Sequence, residues 1–216
     1  MESIFRPGLF EGDVAIVTGG GTGMGLLLAE ELGRLGAKVA ICGRRPEPLI
    51  EAAAKLEALG IEVHQGTCDI REPESIDAML SAIQARFGKV DILVNNAGGP
   101  PPGDFRQWDR AAWLAAVEGN MFTPIELIKA TVDAMAARGY GRVINITSSS
   151  VKAPIDFLGL SNGARSGLTG FVAGVARQPR LAAANVTINN LLPGAFDTDR
   201  LRTTMAGADR KSTRLN

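Results

Sequence analysis

Thr18-Gly19-Gly20-Gly21-Thr22-Gly23-Met24-Gly25 stands directly after the apolar run 14–17 and runs into the helical stretch 24–35. A strand that ends at a glycine-rich turn and gives way to a helix brings bare backbone close to a pyrophosphate. The free amides and positive end of that helix then neutralise its charge. Glycines also build ordinary tight turns, so the run alone leaves two readings open. Three residues and then one separate Gly19, Gly23 and Gly25, unlike the commoner dinucleotide fingerprint. The Lys-Ser/Thr ending of a phosphate-binding NTPase loop is absent, which disfavours ATP or GTP hydrolysis.

Working outward, strand and helix patterns alternate along the chain. Short apolar runs predict strands over 14–17, 38–42, 62–66, 92–95, 142–146 and 187–191. Helices are predicted over 24–35, 46–59, 73–87, 110–138 and near 160–177, with Pro46 and Pro73 suited to first turns and Gly36 and Gly60 to the ends of preceding helices. This alternation implies an α/β domain with a doubly wound parallel sheet, a Rossmann fold, whose ligands bind outside the carboxyl ends of the strands. Loops that follow strands therefore face the site.

Composition agrees with one such domain: 216 residues at 45% hydrophobic suffice for a core. Basic and acidic side chains number 23 each, so net charge favours neither nucleic acid nor an anionic membrane as partner. No apolar run approaches a membrane span, and the segment 1–8, with Glu2 and Arg6, lacks the apolar core of a signal peptide; a cytoplasmic protein is expected. Cys42 and Cys68 lie at predicted strand ends and read as buried thiols rather than a disulfide or metal pair. His64 is the only histidine, which gives histidine triads and multi-histidine metal sites little support, and no metal is expected.

After the second strand comes Gly43-Arg44-Arg45, where an acidic residue would hydrogen-bond an NAD ribose. Two guanidiniums there suit a ribose 2′-phosphate through bidentate charge-assisted bonds; the alternative is a solvated pair at a helix start. NADP(H) is thus expected over NAD(H).

Cys68-Asp69-Ile70 follows the third strand and Asn95-Asn96-Ala97-Gly98 the fourth. Together with Thr18 to Gly25, these segments resemble the short-chain dehydrogenase/reductase family, in its 3-oxoacyl-[acyl-carrier-protein] reductase-like branch, over residues 13–199. The resemblance implies that Thr18, Gly19, Gly23, Met24 and Gly25 cradle the cofactor, that Asp69 and Ile70 contact its adenine, and that Asn95, Ala97 and Gly98 shape its pocket. Pro193-Gly194, followed by Asp197-Thr198, matches the segment lying against the nicotinamide end. Asn120, in Glu118-Gly119-Asn120-Met121, aligns with a helix asparagine that holds a proton-relay water; its alternative is an ordinary buried amide. Ser148 aligns with the serine that hydrogen-bonds the substrate carbonyl, with Ser149 and Ser150 as neighbouring alternatives.

The family then carries a tyrosine and, four residues later, a lysine on the next helix. One turn apart, the ammonium lowers the phenol's pKa and holds the nicotinamide ribose. This chain has Ser161 and Arg165, in a register set by Ser148 upstream and Gly167-Leu168-Thr169-Gly170 downstream. Tyr140, the only tyrosine, precedes the fifth strand and so belongs at the opposite end of the sheet. A serine hydroxyl is a far weaker acid than a phenol, and arginine stays protonated at any working pH. Arg165 keeps the charge to grip ribose hydroxyls and stand beside a developing alkoxide, while Ser161 can at most position a water or the substrate. The other reading of the pair is a polar, solvent-facing helix turn.

Three readings of function compete on these residues. One is an NADPH-linked reductase of a small-molecule carbonyl, an acyl thioester or another apolar ketone, working with a changed acid. Another is an NADP(H)-binding pseudoenzyme, a redox sensor or silent subunit; a purely structural domain is a third. The resemblance also implies a homo-oligomer, dimer or tetramer. After Thr198 the family continues through a substrate-covering loop, a helix and a final edge strand, whereas Asp209 to Asn216 reads as a translated sequencing adapter. The expectation is a Rossmann domain over 1–208, incomplete at its C-terminus, with a non-native tail over 209–216.

Overall fold

Strand β1 (Val14–Thr18) is buried along its whole length, and its side chains alternate between two cores. Val14 and Ile16 face one, Ala15 and Val17 the other, because successive strand residues point to opposite faces of the sheet. A strand with no polar face can lie only at the centre of a sheet covered on both sides. In the computed structural model, which describes residues 4–198 and Arg202, β1 is flanked by β2 (Lys38–Gly43) and β4 (Ile92–Asn95). Beyond these lie β3 (Val63–Thr67), β5 (Gly141–Ile146) and β6 (Val186–Leu191). All pairings are parallel, in the order β3-β2-β1-β4-β5-β6. The chain reverses its direction of travel between β1 and β4, which opens a crevice at their carboxyl ends.

Helices α1 (Gly23–Arg34) and α2 (Pro46–Ala58) cover one face, where Ala29, Leu49, Ala52 and Leu56 pack on Ala15, Val17, Val39 and Ile41. On the other face, α3 (Pro73–Phe87), α5 (Thr123–Arg138) and α6 (Gly159–Val175) supply Met79, Ile83, Leu127, Met135 and Leu168. Each fully buried aliphatic side chain of this kind contributes about 1.5–3 kcal/mol. A short helix, α7 (Pro179–Ala183), lies between α6 and β6 and was not expected from the sequence.

One predicted helix needs correction. The stretch 110–138 is not continuous: α4 (Arg110–Val117) and α5 are joined by a π-helical turn over Glu118–Phe122. Pro124 explains the break. In an uninterrupted α-helix its ring would press on the Asn120 carbonyl and withhold the N–H that carbonyl needs. The extra residue of a π turn absorbs the conflict, and the Thr123 N–H bonds to Glu118 O, five residues back.

The amino ends of the strands form a separate polar end. Asp91, almost fully buried, accepts the Val14 N–H at 3.0 Å and pairs with Lys89 at 2.8 Å. Tyr140 donates its hydroxyl proton to Asp13 at 3.1 Å, ahead of β5, while Ser148 follows that strand's other end. Both cysteines are buried free thiols. The proposed tail 209–216, and the boundary at 208, lie outside the described residues.

Candidate active site

At the end of β1 the chain turns through Gly19 (φ +61°) and Gly23 (φ +54°), a left-handed backbone that glycine adopts without strain. A Cβ on Gly25 would sit 2.2 Å from Gly19 O and 2.8 Å from Asn96 Nδ2, so the first turn of α1 closes on the loop only because Gly25 is bare. Thr22 caps α1 without a side-chain hydrogen bond, which leaves the first helical amides unclaimed by its hydroxyl. Met24 packs its side chain into the core beneath, and Thr198 Cγ2 stands 4.0 Å from where a Gly23 Cβ would be. A bare loop in front of a helix start without a side-chain cap fits a cofactor pyrophosphate.

Asn96 holds the cradle to the fourth strand. Thr18 Oγ1 donates to Asn96 O at 3.0 Å and accepts the Asn96 N–H at 2.9 Å, while Asn96 Nδ2 donates to Thr18 O at 3.2 Å. The motif by itself assigns Asn96 no role; its place beside Thr18 does. Its partner Asn95 points inward instead, where Nδ2 donates to Asn145 Oδ1 at 2.8 Å. Asn145 Nδ2 in turn donates to Asn190 Oδ1 at 3.1 Å. These asparagines are in register on β4, β5 and β6 and make an amide row under the crevice. Strand register, invisible in a single sequence, is what joins them.

Arg44 and Arg45 are exposed just after β2. Asp69 and Ile70 follow β3 on the adjacent loop, and Ile70 packs partly against the core. Arg71, which belongs to no motif of the sequence, grips Asp69: its Nε donates to Oδ1 at 2.9 Å, its backbone N–H to Oδ1 at 3.1 Å, and its Nη2 to Oδ2. Chiefly through the Arg71 side chain, the Asp69 carboxyl is drawn down to about 2.

Asn120 lies buried in the π turn, with Nδ2 donating to Ala116 O at 3.3 Å. Ser148 is half-buried, and its Oγ accepts the Ser150 N–H at 3.1 Å; Ser149 is exposed and Ser150 fully buried. The Ser149 N–H bonds to Pro193 O at 3.0 Å, which brings Pro193 and the exposed Gly194 alongside the Ser148 loop.

Ser161 and Arg165 do not form a solvent-facing turn. Leu160, Ser161, Ala164, Arg165, Leu168 and Val172 are the inward stripe of α6, and Ser161 and Arg165 retain only 8% and 9% exposure. The Arg165 Nη1 donates to Ile146 O at 3.1 Å and to Thr147 O, and Nη2 reaches Ala97 O at 3.5 Å. One guanidinium thus ties the end of β5 to the loop after β4, with exposed Gly98 next along that loop.

The cradle, the paired arginines and the Ser148 loop all occupy the carboxyl-end crevice of one sheet. A family model described as short chain dehydrogenase matches residues 13–209. The chain belongs to the short-chain dehydrogenase family. It is 35% identical over 195 residues to the 3-oxoacyl-[acyl-carrier-protein] reductase FabG of Escherichia coli (strain K12), spanning 89% of this chain and 77% of the relative. Among solved structures, an actinorhodin polyketide ketoreductase with NADPH matches with a TM-score of 0.85 at 32% identity, over 94% of this chain and 82% of that one. A 7α-hydroxysteroid dehydrogenase complexed with NADH and 7-oxo glycochenodeoxycholic acid matches with a TM-score of 0.86 at 28% identity, over 93% and 78%. This short-chain dehydrogenase is therefore an oxidoreductase of the 3-oxoacyl reductase-like kind.

Proposed function

We propose that this short-chain dehydrogenase uses NADP(H) to reduce a small-molecule carbonyl compound, a 3-oxoacyl thioester or similarly apolar ketone. The observation that carries the reading is spatial: the glycine cradle, Ser148 and Arg165 converge on the carboxyl ends of β1, β4 and β5. The reduced nicotinamide supplies a hydride when bound. Ser148 donates a hydrogen bond to the carbonyl oxygen, and the fixed charge of Arg165 offsets negative charge developing on it. Ser161 orients water as the proton source, since neither it nor Arg165 releases a proton near neutral pH. To Asn120, buried in the π turn, this reading gives the relay water. Loss of a tuned general acid costs about 10²–10⁴-fold in rate, so slow turnover is expected.

The relatives are divided over cofactor, one solved with NADPH and another with NADH. Arg44 and Arg45, with no acid between Gly43 and Pro46, favour NADP(H) here. A cytoplasmic homo-oligomer is part of the same proposal. A second reading, an NADP(H)-binding protein without turnover, is favoured by the way Arg165 directs both terminal nitrogens at main-chain carbonyls.

The test scores binding and chemistry separately, by NADPH fluorescence and by NADPH oxidation over a panel of 3-oxoacyl thioesters and ketones. Binding with oxidation supports the reductase. Binding without oxidation, together with turnover gained in Ser161→Tyr/Arg165→Lys, supports the silent binder. No NADPH binding overturns both.

A further inference from the structure

The adenosine end poses an electrostatic problem. Gly43 and Thr67 are paired in register, and the Cys68 N–H bonds to Gly43 O at 2.8 Å, so the loops after β2 and β3 leave the sheet side by side. Arg44 opens the first loop and Asp69 stands in the second, close enough for Arg44 to act electrostatically on its carboxyl. A carboxylate at the end of β2 selects NAD because it bonds ribose hydroxyls and repels a 2′-phosphate. Here the neighbouring loop brings one to the same corner. Left uncompensated, Asp69 would oppose the ligand that Arg44 suits.

We infer that Arg71 is a specificity-determining residue: by neutralising Asp69 it frees the charge of Arg44 for a ribose 2′-phosphate, so that NADP(H) is taken over NAD(H). The inference rests on the NADP(H)-linked reading above and names a device for it. The geometry is a fork, with Nε on Oδ1, Nη2 on Oδ2 and the Arg71 backbone N–H adding to Oδ1. Bidentate guanidinium–carboxylate pairs of this kind are the strong and orientation-specific ones. The Ser75 hydroxyl accepts the Asp69 N–H at 3.1 Å, which fixes the loop that presents the carboxylate. Glu72 and Glu118 also lie within electrostatic reach of Arg71. Without Arg71, then, Asp69 would act on Arg44 with no balancing charge from its own loop. Because Arg71 is about half exposed, at 47%, its side chain is removable without opening the core.

The experiment measures dissociation constants of NADPH and NADH by cofactor fluorescence for the full chain and for Arg71→Ala, Arg71→Lys, Asp69→Asn and Arg71→Ala/Asp69→Asn. Arg71→Ala is expected to weaken NADPH about fivefold, the effect of one unit charge on a nearby phosphate dianion in a solvated site, and to leave NADH within twofold. Arg71→Lys keeps most of the preference, and adding Asp69→Asn to Arg71→Ala restores the ratio of NADPH to NADH affinity, in which any change at the adenine common to both cofactors cancels. An equal loss for both cofactors in Arg71→Ala, or no rescue by Asp69→Asn, overturns the inference. The wild-type constants judge the underlying reading independently: tighter NADH than NADPH, or binding of neither, overturns NADP(H) use itself.

Discussion

Replacing Arg165 by Met tests whether the guanidinium is a structural tie as well as a site residue. Methionine keeps the straight, apolar stem and removes every donor. Two bonds to the consecutive carbonyls of Ile146 and Thr147 are lost, together with the long contact to Ala97 O at 3.5 Å. Hydrogen bonds involving a charged group contribute about 1.5–3 kcal/mol each, and a contact at the distance limit contributes little. Two such bonds give about 3–6 kcal/mol, offset in part because a buried charge no longer needs desolvation, for a net loss of about 3 kcal/mol. For a domain of this size that lowers the melting temperature by roughly 6–12 °C. Urea denaturation followed by far-UV circular dichroism measures the loss directly, and Arg165→Lys should fall between, since one ammonium cannot span both strand ends. An unfolding free energy within about 0.5 kcal/mol of wild type for Arg165→Met, the ordinary scale of a surface substitution, would refute the tie and return Arg165 to a purely catalytic reading.

Gly25→Ala should abolish measurable NADPH binding, because its Cβ meets a main-chain oxygen at 2.2 Å that cannot swing aside; fluorescence titration checks this, and near-normal affinity would mean that α1 does not close the cradle. In Arg71→Ala the Asp69 carboxyl should return from about 2 towards its ordinary 3.8, read by NMR titration of the side-chain carboxyl. The sign follows from that depression: in the wild type the Asp69 contribution to stability is present above pH 3.8 and lost as pH falls towards 2, and the variant should lack this acid limb. Asn145→Leu should cost about 1–3 kcal/mol in chemical denaturation, since it strips a partner from the buried Asn95 amide and another from the half-buried Asn190; a neutral result would show that those amides find other partners. Ser161→Tyr/Arg165→Lys should raise turnover by about 10²–10⁴-fold if only the acid is missing, with steady-state NADPH oxidation as the readout.

Much of this architecture could be read from residues alone because a parallel sheet writes itself as apolar runs. The strands over 14–17, 38–42 and 92–95 were placed to within a residue, since no other element buries four or five consecutive side chains. The helix over 110–138 failed for a reason that was present in the chain: Pro124, inside an otherwise helical pattern, demanded a break that periodicity hides. For Ser161 and Arg165 the sequence left a solvent-facing turn open, because residue type argues for exposure; only the packing of α6 on the strand ends decides their burial. The asparagines of β5 and β6 escape notice because their meaning lies in pairings across strands, whereas the Arg71 pair with Asp69 is local but rests on side-chain direction, which residue spacing does not give. The cradle was legible as a motif, but the role of Asn96 in bracing it depends on β1 lying beside β4.

The amide row of Asn95, Asn145 and Asn190 carries a consequence for how this sheet finds its alignment. Aliphatic strands slide past one another at little cost, since one valine or isoleucine replaces another in the next register. A slip of one residue would turn an amide to the opposite face and strand its partners in an apolar layer. Three side chains far apart in sequence therefore act as an alignment key, rejecting shifted pairings that hydrophobicity alone would accept. Change at one of these positions is tolerable only with matching change on the adjoining strands, which ties their substitution histories together although none of them need ever touch a substrate.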